Sequence, residues 1–290
     1  MIPKASVIPV FIPHLGCPNN CVFCNQNKIS GADKPVTPEE VRNTIQQGLK
    51  LSKDKPQLAF YGGSFTAIPP KAQEEYLSVA KEFVDTGDLS LIRLSTRPDA
   101  IDENTLDRLE RFGVKIIELG AQSMDDDVLT KSGRGHTAED VKKASRLIKS
   151  RGFSLILQMM TGLPGDTLEK TVNTAKEIIA LNPDGVRIYP TVIVSDTPLF
   201  ELWKRGLYRE HTVDEAVNWC SVIYPMFNNA GIPVIRMGLN PTDDLSAGKA
   251  EGGAYHPAFG ELVRSKIYLD RINDYFDKNL TVPSDVIIEV

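Results

Sequence analysis

The sequence predicts an α/β protein folded as an open, partial (βα)6 barrel of the TIM-like kind. Short runs of apolar and β-branched residues alternate with longer segments of helical period along the 290 residues, which is the pattern of repeated βα units on a parallel sheet. Hydrophobic residues make up 41% of the chain, enough to bury one large core. Glycines and polar residues follow several apolar runs, at the strand ends where a barrel places its site.

Six βα units can be followed in order, and one further short strand comes after them. Thr37 and Thr137 each stand before an acidic first turn, which is a signal for a helix N-terminus. The predicted strands are residues 7–11, 58–61, 91–95, 115–119, 155–159, 186–189 and 234–237. The predicted helices are residues 38–50, 71–85, 103–112, 138–149, 167–181 and 213–229.

Two regions are expected. The barrel occupies residues 1–235, and a short C-terminal extension occupies residues 236–290. The last five residues, 286–290, are apolar and strand-like with no terminator, which is typical of a truncated chain.

Three of the four cysteines, Cys17, Cys21 and Cys24, stand within eight residues at the spacing CxxxCxxC. Thiolates suit iron–sulfur clusters and zinc. A structural zinc or an electron-transfer cluster takes four protein ligands, so three thiolates predict a cubane with one open iron. A zinc knuckle or a disulfide pair is the alternative. Cys220 lies far away in a helical segment, where we expect a small buried hydrophobe.

Composition excludes some classes of protein. No stretch approaches the roughly 18 apolar residues of a membrane span, and the first residues have no signal-peptide pattern. Clustered cysteines without an exported context fit a reducing cytoplasm. The net charge of −5 argues against a uniformly basic nucleic-acid binder. One helix carries a basic stripe that is either a solvated face or an RNA backbone contact; its residues are Lys142, Lys143, Arg146 and Lys149.

A succession of motifs at the strand ends is more specific than the cysteines alone. In order they are GGSF at 62–65, STRPD at 95–99, GAQS at 120–123, RGHT at 134–137, MMTGLPGD at 159–166, YPT at 189–191 and ELWKRGLY at 201–208. With the cysteine loop, this order resembles the radical S-adenosylmethionine (radical SAM) superfamily. It is most similar to the radical SAM domain of the Elongator catalytic subunit, which modifies the tRNA wobble uridine, and less so to oxygen-independent coproporphyrinogen oxidase.

The resemblance implies a partial barrel of the radical SAM type, a 4Fe–4S cluster held by Cys17, Cys21 and Cys24, and SAM bound at the open iron. Arginine suits a carboxylate because its rigid fork matches the two oxygens. Two positions depart from the pattern of the relatives, Ser95 on the third strand and Gln158 on the fifth, so ribose recognition is expected to differ there. The implied SAM contacts are Phe23 for adenine, Gly62, Gly63 and Ser64 for the amino group, Gln122 for a ribose hydroxyl and Arg134 for the carboxylate.

The function implied is reductive cleavage of SAM to a 5′-deoxyadenosyl radical that modifies an RNA base, with tRNA as the expected partner. A reducing partner such as flavodoxin or ferredoxin would supply the electron. Radical chemistry on a small molecule, such as a porphyrin precursor, is the alternative. A non-enzymatic iron–sulfur electron carrier is a third interpretation. About 55 residues follow Arg236, too few for the acetyltransferase domain of the Elongator subunit, so acetyl transfer is not expected of this sequence.

Overall fold

The structure, a computed structural model, describes residues 6–12, 21–24, 36–239 and 250–278. Its strands are β1 (Val7–Ile12), β2 (Gln57–Gly62), β3 (Leu91–Thr96), β4 (Val114–Gln122), β5 (Ser154–Thr161), β6 (Gly185–Pro190), β7 (Val192–Val194), β8 (Val234–Met237) and β9 (Ala250–Gly253). Seven of them form a central parallel sheet in the order β1-β2-β3-β4-β5-β6-β8. The two short strands β7 and β9 pair antiparallel beside it.

Helices connect the successive parallel strands. Thr37 and Thr137 begin two of them with a capping box, in which the threonine hydroxyl and an acidic side chain three residues later each accept a backbone N–H. In chain order the helices are α1 (Pro38–Leu51), α2 (Pro70–Asp85), α3 (Glu103–Arg111), α4 (Asp126–Lys131), α5 (Ala138–Ser150), α6 (Leu168–Ala180), α7 (Pro198–Lys204), α8 (Val213–Asn229) and α9 (Phe259–Lys278).

The two faces of the sheet differ in polarity. Alternate strand residues such as Leu58, Leu94 and Leu157 point toward the helices and are fully buried in one large core. The opposite face is concave, because Arg187 on β6 reaches Tyr61 on β2 with an Nη2–OH distance of 3.2 Å. Side chains four strands apart meet only across a curled sheet, so the sheet is a half-barrel.

The predicted α/β half-barrel is confirmed, and each predicted strand and helix is present with its ends moved by at most a few residues. The sequence analysis missed β7, β9 and the helices α4, α7 and α9. The first four are short, and a short element has too few residues to show a period. The strand-like residues 286–290 lie outside the described residues, and the boundary at residue 235 stays a prediction. None of the described helices is long and apolar enough to cross a membrane.

Two buried histidines and a half-buried aspartate lie in or beside the loops that follow β4 and β5. His136 contacts the carbonyl oxygen of Ala121 through Nε2 at 3.1 Å, and burial lowers its pKa to about 4. His211 contacts Thr161 Oγ1 at 3.2 Å, and burial lowers its pKa to about 4 as well. Burial raises the pKa of Asp166 to about 6, although this carboxylate accepts hydrogen bonds from the loop backbone.

We expect the free energy of unfolding to fall by about 2 kcal/mol between pH 7 and pH 5. In that interval both histidines take up protons in the unfolded chain and stay neutral in the folded chain, so stability is lost as the pH falls. The pKa of Asp166 is raised in the folded chain, so this group adds stability as the pH falls. Its single contribution is smaller than the loss from the two histidines together. Denaturant unfolding at the two pH values measures the difference.

The variant His211→Gln removes one of the two histidines, and the fall should shrink by about 2 kcal/mol. His256→Gln is the matched control, because this histidine lies in the turn before α9, where its Nδ1 accepts a hydrogen bond from the backbone N–H of Ala258. If His211→Gln loses as much stability as the unchanged chain, buried histidines do not cause the pH dependence.

Candidate functional site

The carboxyl ends of the parallel strands bring the sequence motifs together at one mouth of the half-barrel. At the end of β2, Gly62 has a φ of 102°, and a Cβ on this residue would lie 2.6 Å from the carbonyl oxygen of Ile12. Only glycine tolerates both conditions. The N–H of Gly63 then donates to the same oxygen at 3.1 Å, and Ser64 is buried just beyond. The end of β1, which leads into the cysteine loop, is thereby fixed against the glycine turn.

Strain marks the end of β4. Gln122 has a φ of 66°, which is unusual for a residue with a side chain, and the pairing with β5 shifts between Gly120 and Gln122. The side chain of Gln122 is buried, and its Oε1 accepts a long hydrogen bond from Gln158 Nε2 at 3.4 Å. Such strain persists where the surroundings fix it, commonly at ligand sites. The bulge therefore turns the Gln122 amide toward the mouth.

Arg134 joins this strand end to the cysteine loop. Its Nη1 donates to Cys21 Sγ at 3.3 Å, and its Nη2 donates to the carbonyl oxygen of Gly120 at 2.7 Å. A Cβ on Gly120 would lie 3.0 Å from Gln122 Nε2 and 3.3 Å from Arg134 Nη2. The missing side chain at Gly120 therefore leaves the space in which these two predicted SAM ligands come together. The same guanidinium thus contacts both the strand end and the cysteine loop.

A second layer holds Arg134 in place. Arg97 is 2% exposed, and it pairs with Asp99 at 2.9 Å while its Nη2 donates to the carbonyl oxygen of Arg134 at 2.5 Å. His136, two residues further on, is held by its contact with Ala121. Sequence reasoning recognised Arg97 only as part of the STRPD motif and assigned it no role. In the sequence, an arginine and an acid stand on either side of a proline. This pattern predicts a fixed turn, but it does not predict that the arginine contacts the loop of Arg134.

The described part of the cysteine loop is anchored through both backbone groups of Val22. The N–H of Val22 donates to Ser132 O at 3.0 Å, and the carbonyl oxygen of Val22 accepts from the N–H of Leu199 at 2.8 Å. Phe23 packs against a cluster formed by Val128, Met160 and Leu163. The loops after β4 and β5 and the start of α7 therefore position the cysteines together.

The structure brings Cys21 and Cys24 to the mouth, whereas Cys17 lies outside the described residues. Cys24 N donates to Cys21 O at 3.0 Å, so the two cysteines share one tight turn. No group of three metal-binding side chains occurs among the described residues alone. Cys220 is fully buried in the core of α8, and burial raises the pKa of its thiol to about 12. It therefore stays a neutral thiol, which is a poor metal ligand.

The inner face of the half-barrel holds a charged network that sequence reasoning missed. Glu118 on β4 accepts from Tyr61 OH at 2.8 Å and from Arg93 Nε at 2.7 Å, and it pairs with Arg187 Nε at 2.6 Å. Ser95 on β3 is the register partner of Glu118, so this predicted SAM contact lies beside the network. The signal was present: each charged residue stands between apolar neighbours within a predicted strand.

This mouth, with a cysteine loop, a glycine turn and a buried arginine at the strand ends, defines a cluster-binding half-barrel enzyme. Residues 11–178 match the radical SAM superfamily, and residues 183–268 match the radical SAM C-terminal domain. The chain therefore belongs to the radical SAM superfamily and is a radical SAM enzyme.

Within this superfamily, the chain is similar to proteins of one group. The chain is 31% identical over 211 residues to tRNA uridine(34) acetyltransferase of Methanocaldococcus infernus, and 30% identical over 202 residues to Elongator complex protein 3 of Schizosaccharomyces pombe. These matches cover 64% and 62% of this chain but only 40% and 37% of those proteins. Among solved structures, the archaeal Elp3 of Methanocaldococcus infernus aligns with a TM-score of 0.72 at 25% identity, covering 94% of this chain and 64% of that one.

The cofactors are a 4Fe–4S cluster and SAM, and the residues of the mouth fit both. The guanidinium of Arg134 contacts Cys21 Sγ, and the space over Gly120 is lined by this guanidinium and by the amide of Gln122. We propose that Cys17, Cys21 and Cys24 hold the cluster and that Phe23, Gly62, Gly63, Ser64, Ser95, Gln122, Arg134 and Gln158 line the SAM site. When bound, the reduced cluster supplies the electron that splits SAM into methionine and a 5′-deoxyadenosyl radical.

Replacing Cys21 or Cys24 by Ala should abolish cluster assembly, because a cubane with two thiolates is poorly held. Cys220→Ala should keep the cluster, since its thiol lies in the core. Iron and sulfide content and visible absorption after anaerobic reconstitution report the result. Loss of the cluster in Cys220→Ala would contradict the three-cysteine assignment.

Arg134→Ala should keep the cluster but bind SAM more weakly by about 2–5 kcal/mol, the loss typical of a buried hydrogen-bonded charge pair. Anaerobic calorimetry of SAM binding measures it. Arg146→Ala is the matched control, because this arginine lies on the exposed face of α5 and pairs with Glu139 at 3.0 Å. Equal SAM affinity in the Arg134 and Arg146 variants would show that Arg134 does not hold the carboxylate.

Proposed function

We propose that this radical SAM enzyme modifies a base of tRNA, with the wobble uridine as target. The observation that carries the proposal is the similarity, over about 200 residues of the barrel, to a tRNA uridine(34) acetyltransferase and to Elongator complex protein 3. The enzyme would act in the cytoplasm and take its electron from a reducing partner such as flavodoxin or ferredoxin. Because the chain covers less than half of those two relatives, acetyl transfer is not part of the proposal.

The geometry supports a substrate that enters through the mouth. The cysteine loop, the glycine turn and Arg134 lie at the rim, while Tyr61, Glu118 and Arg187 lie on the inner face. Ser95 is in register with Glu118 and Gln158 with Arg187, so these two predicted SAM ligands lie beside the network. A base that is to be attacked by a radical must leave its stack and enter such a chamber. Below the rim, the walls supply hydrogen-bond donors that can hold it.

The basic stripe of α5 gives less support to RNA binding than its sequence suggested. Lys142 pairs with Glu177 at 2.6 Å and Arg146 pairs with Glu139 at 3.0 Å. Lys149 donates to the backbone carbonyl oxygen of Asn182. Because carboxylates of the same surface already neutralise two of these charges, phosphate contacts from this helix would first have to break those pairs.

The same charges are also compatible with the alternative function, radical chemistry on a small molecule. A net charge of −5 and an internally paired basic helix suit an enzyme that never binds a polyanion. A substrate such as a porphyrin precursor would enter the same mouth, and it would need no surface outside it.

The experiment compares two anticodon stem-loops that differ only in uridine or cytidine at the wobble position, using anaerobically reconstituted enzyme. Fluorescence anisotropy at low salt should show binding of both, and the affinity should fall by about 0.7 log units per log unit of salt for each single-strand phosphate neutralised. Only the uridine stem-loop should raise 5′-deoxyadenosine release above the uncoupled rate. The quadruple change of Lys142, Lys143, Arg146 and Lys149 to Gln tests the stripe, and two lost contacts would flatten the slope by about 1.4.

If the unchanged protein shows no salt-dependent binding to either stem-loop at low ionic strength, the RNA proposal is wrong and the small-molecule alternative replaces it. A variant at Cys21 that binds the stem-loop but releases no 5′-deoxyadenosine serves as the control for binding without chemistry.

A further inference from the structure

Among the residues that the structure describes, the inner face of the half-barrel carries more positive than negative charge. Glu118 is 3% exposed and pairs with both Arg93, which is 4% exposed, and Arg187, whose side chain is 14% exposed. Burial raises the pKa of Tyr61, so the phenol that donates to Glu118 is neutral. One carboxylate therefore faces two guanidinium groups. A buried charge without a counter-charge is unfavourable, so the network is suited to a further anion.

The donors that remain for such an anion are on β6. Arg187 Nε lies 2.6 Å from Glu118 Oε2, and its Nη2 donates to Tyr61 OH at 3.2 Å and to Glu118 Oε1 at 3.4 Å. Within the described part of the chain, Nη1 has one contact, Tyr189 OH at 3.4 Å. That distance is longer than the usual N–H to oxygen hydrogen bond of about 2.9 Å. The half-buried Tyr189 can rotate its hydroxyl proton toward a ligand and so act as a second donor.

This pair of donors lies next to the reacting end of the barrel. Tyr189 packs against the cluster of Val128, Met160 and Leu163, and Phe23 of the cysteine loop packs against the same cluster. Gln158, one of the predicted SAM contacts, is the register partner of Arg187 on β5. A group bound between Arg187 and Tyr189 would therefore lie just below the mouth.

We propose that Arg187 Nη1 and Tyr189 OH form an oxyanion site inside the half-barrel, which binds a carboxylate or phosphate group of the substrate. The inference deepens the proposed function, because it rests on the half-barrel being the reaction chamber and names the chemical class of a group that enters it. Glu118 holds the guanidinium of Arg187 by its Nε edge and leaves the Nη1 edge for the ligand. The uncompensated guanidinium charge favours an oxyanion over a neutral carbonyl oxygen.

Two competing roles for these side chains lead to different results. In the first, Arg187 only braces strands β2, β4 and β6, and Tyr189 only fills space against Met160. In the second, the anion is the carboxylate of SAM itself. If Arg187 and Tyr189 are only structural, added anions should not change the stability of the protein. If they bind the carboxylate of SAM, replacing Tyr189 should weaken SAM binding.

The test uses the cluster-loaded enzyme with SAM bound and follows its Tm as inorganic phosphate or succinate replaces chloride at constant ionic strength. Ligands that bind the folded state raise Tm with concentration, which gives an apparent Kd. We expect at least one of the two oxyanions to raise Tm. Phosphate alone would identify a phosphate ester, and succinate alone would identify a carboxylate.

Tyr189→Phe is the decisive variant, because it removes one donor and leaves Glu118 paired. It should raise the apparent Kd for the oxyanion about tenfold, the loss of one hydrogen bond to a charged group, and leave SAM affinity unchanged. Tyr268→Phe on α9 is the matched control, since this tyrosine is 45% exposed and remote from the barrel interior. Arg187→Lys should weaken the oxyanion further, and if that variant does not fold, Tyr189→Phe still decides.

The proposal is wrong if neither oxyanion raises Tm beyond chloride, if Tyr189→Phe responds like the unchanged protein, or if Tyr189→Phe loses SAM affinity. Its failure is separable from that of the proposed function. An oxyanion response without stem-loop binding would support this site and reject tRNA, whereas stem-loop binding without an oxyanion response would do the reverse.

Discussion

A single buried carboxylate, Glu118 on β4, joins side chains from three other strands across the curled inner face of the sheet. In a flat sheet β2 and β6 would lie about 19 Å apart, too far for Tyr61 and Arg187 to meet. They are 3.2 Å apart, and both contact Glu118. Removing the carboxylate would leave two buried guanidinium groups without a counter-charge, which typically costs about 3–5 kcal/mol. Glu118 thus both links the two sides of the chamber and pairs with the two arginines that give the chamber its charge.

The rim above this network is held by backbone constraints. Gly62 occupies a conformation and a space that a side chain would not tolerate, and Gln122 keeps a left-handed backbone at a bulge. Arg97 and His136 fix the loop that carries Arg134 from behind. Because these residues are already fixed against one another, little conformational freedom remains to be lost when a ligand binds, which is the advantage of preorganisation. The rim is therefore rigid where the cofactors are expected, and the charged inner face below it is where the substrate is expected.

Local signals explain what could be predicted from the sequence. The caps at Thr37 and Thr137 and the apolar runs of the strands depend on neighbours a few residues away, so the βα order was recovered from the chain alone. The contact between Arg134 and Cys21 joins residues 113 positions apart, and the Arg97–Arg134 contact joins residues 37 apart. No periodicity encodes such pairs. Motif order could place them at one mouth, but only the fold shows which atoms meet.

The distribution of charge bears on the substrate more than the total does. On the surface, Lys142 and Arg146 of α5 are paired with acids, which reduces their attraction for a polyanion. Inside, Arg93 and Arg187 share one carboxylate, so within the described part of the chain a positive charge is left over where electrostatic interactions are strong. An anionic substrate would thus meet its strongest attraction after entering the mouth. Affinity for RNA, on this view, would depend on the nucleotide that enters the barrel more than on the helices outside it.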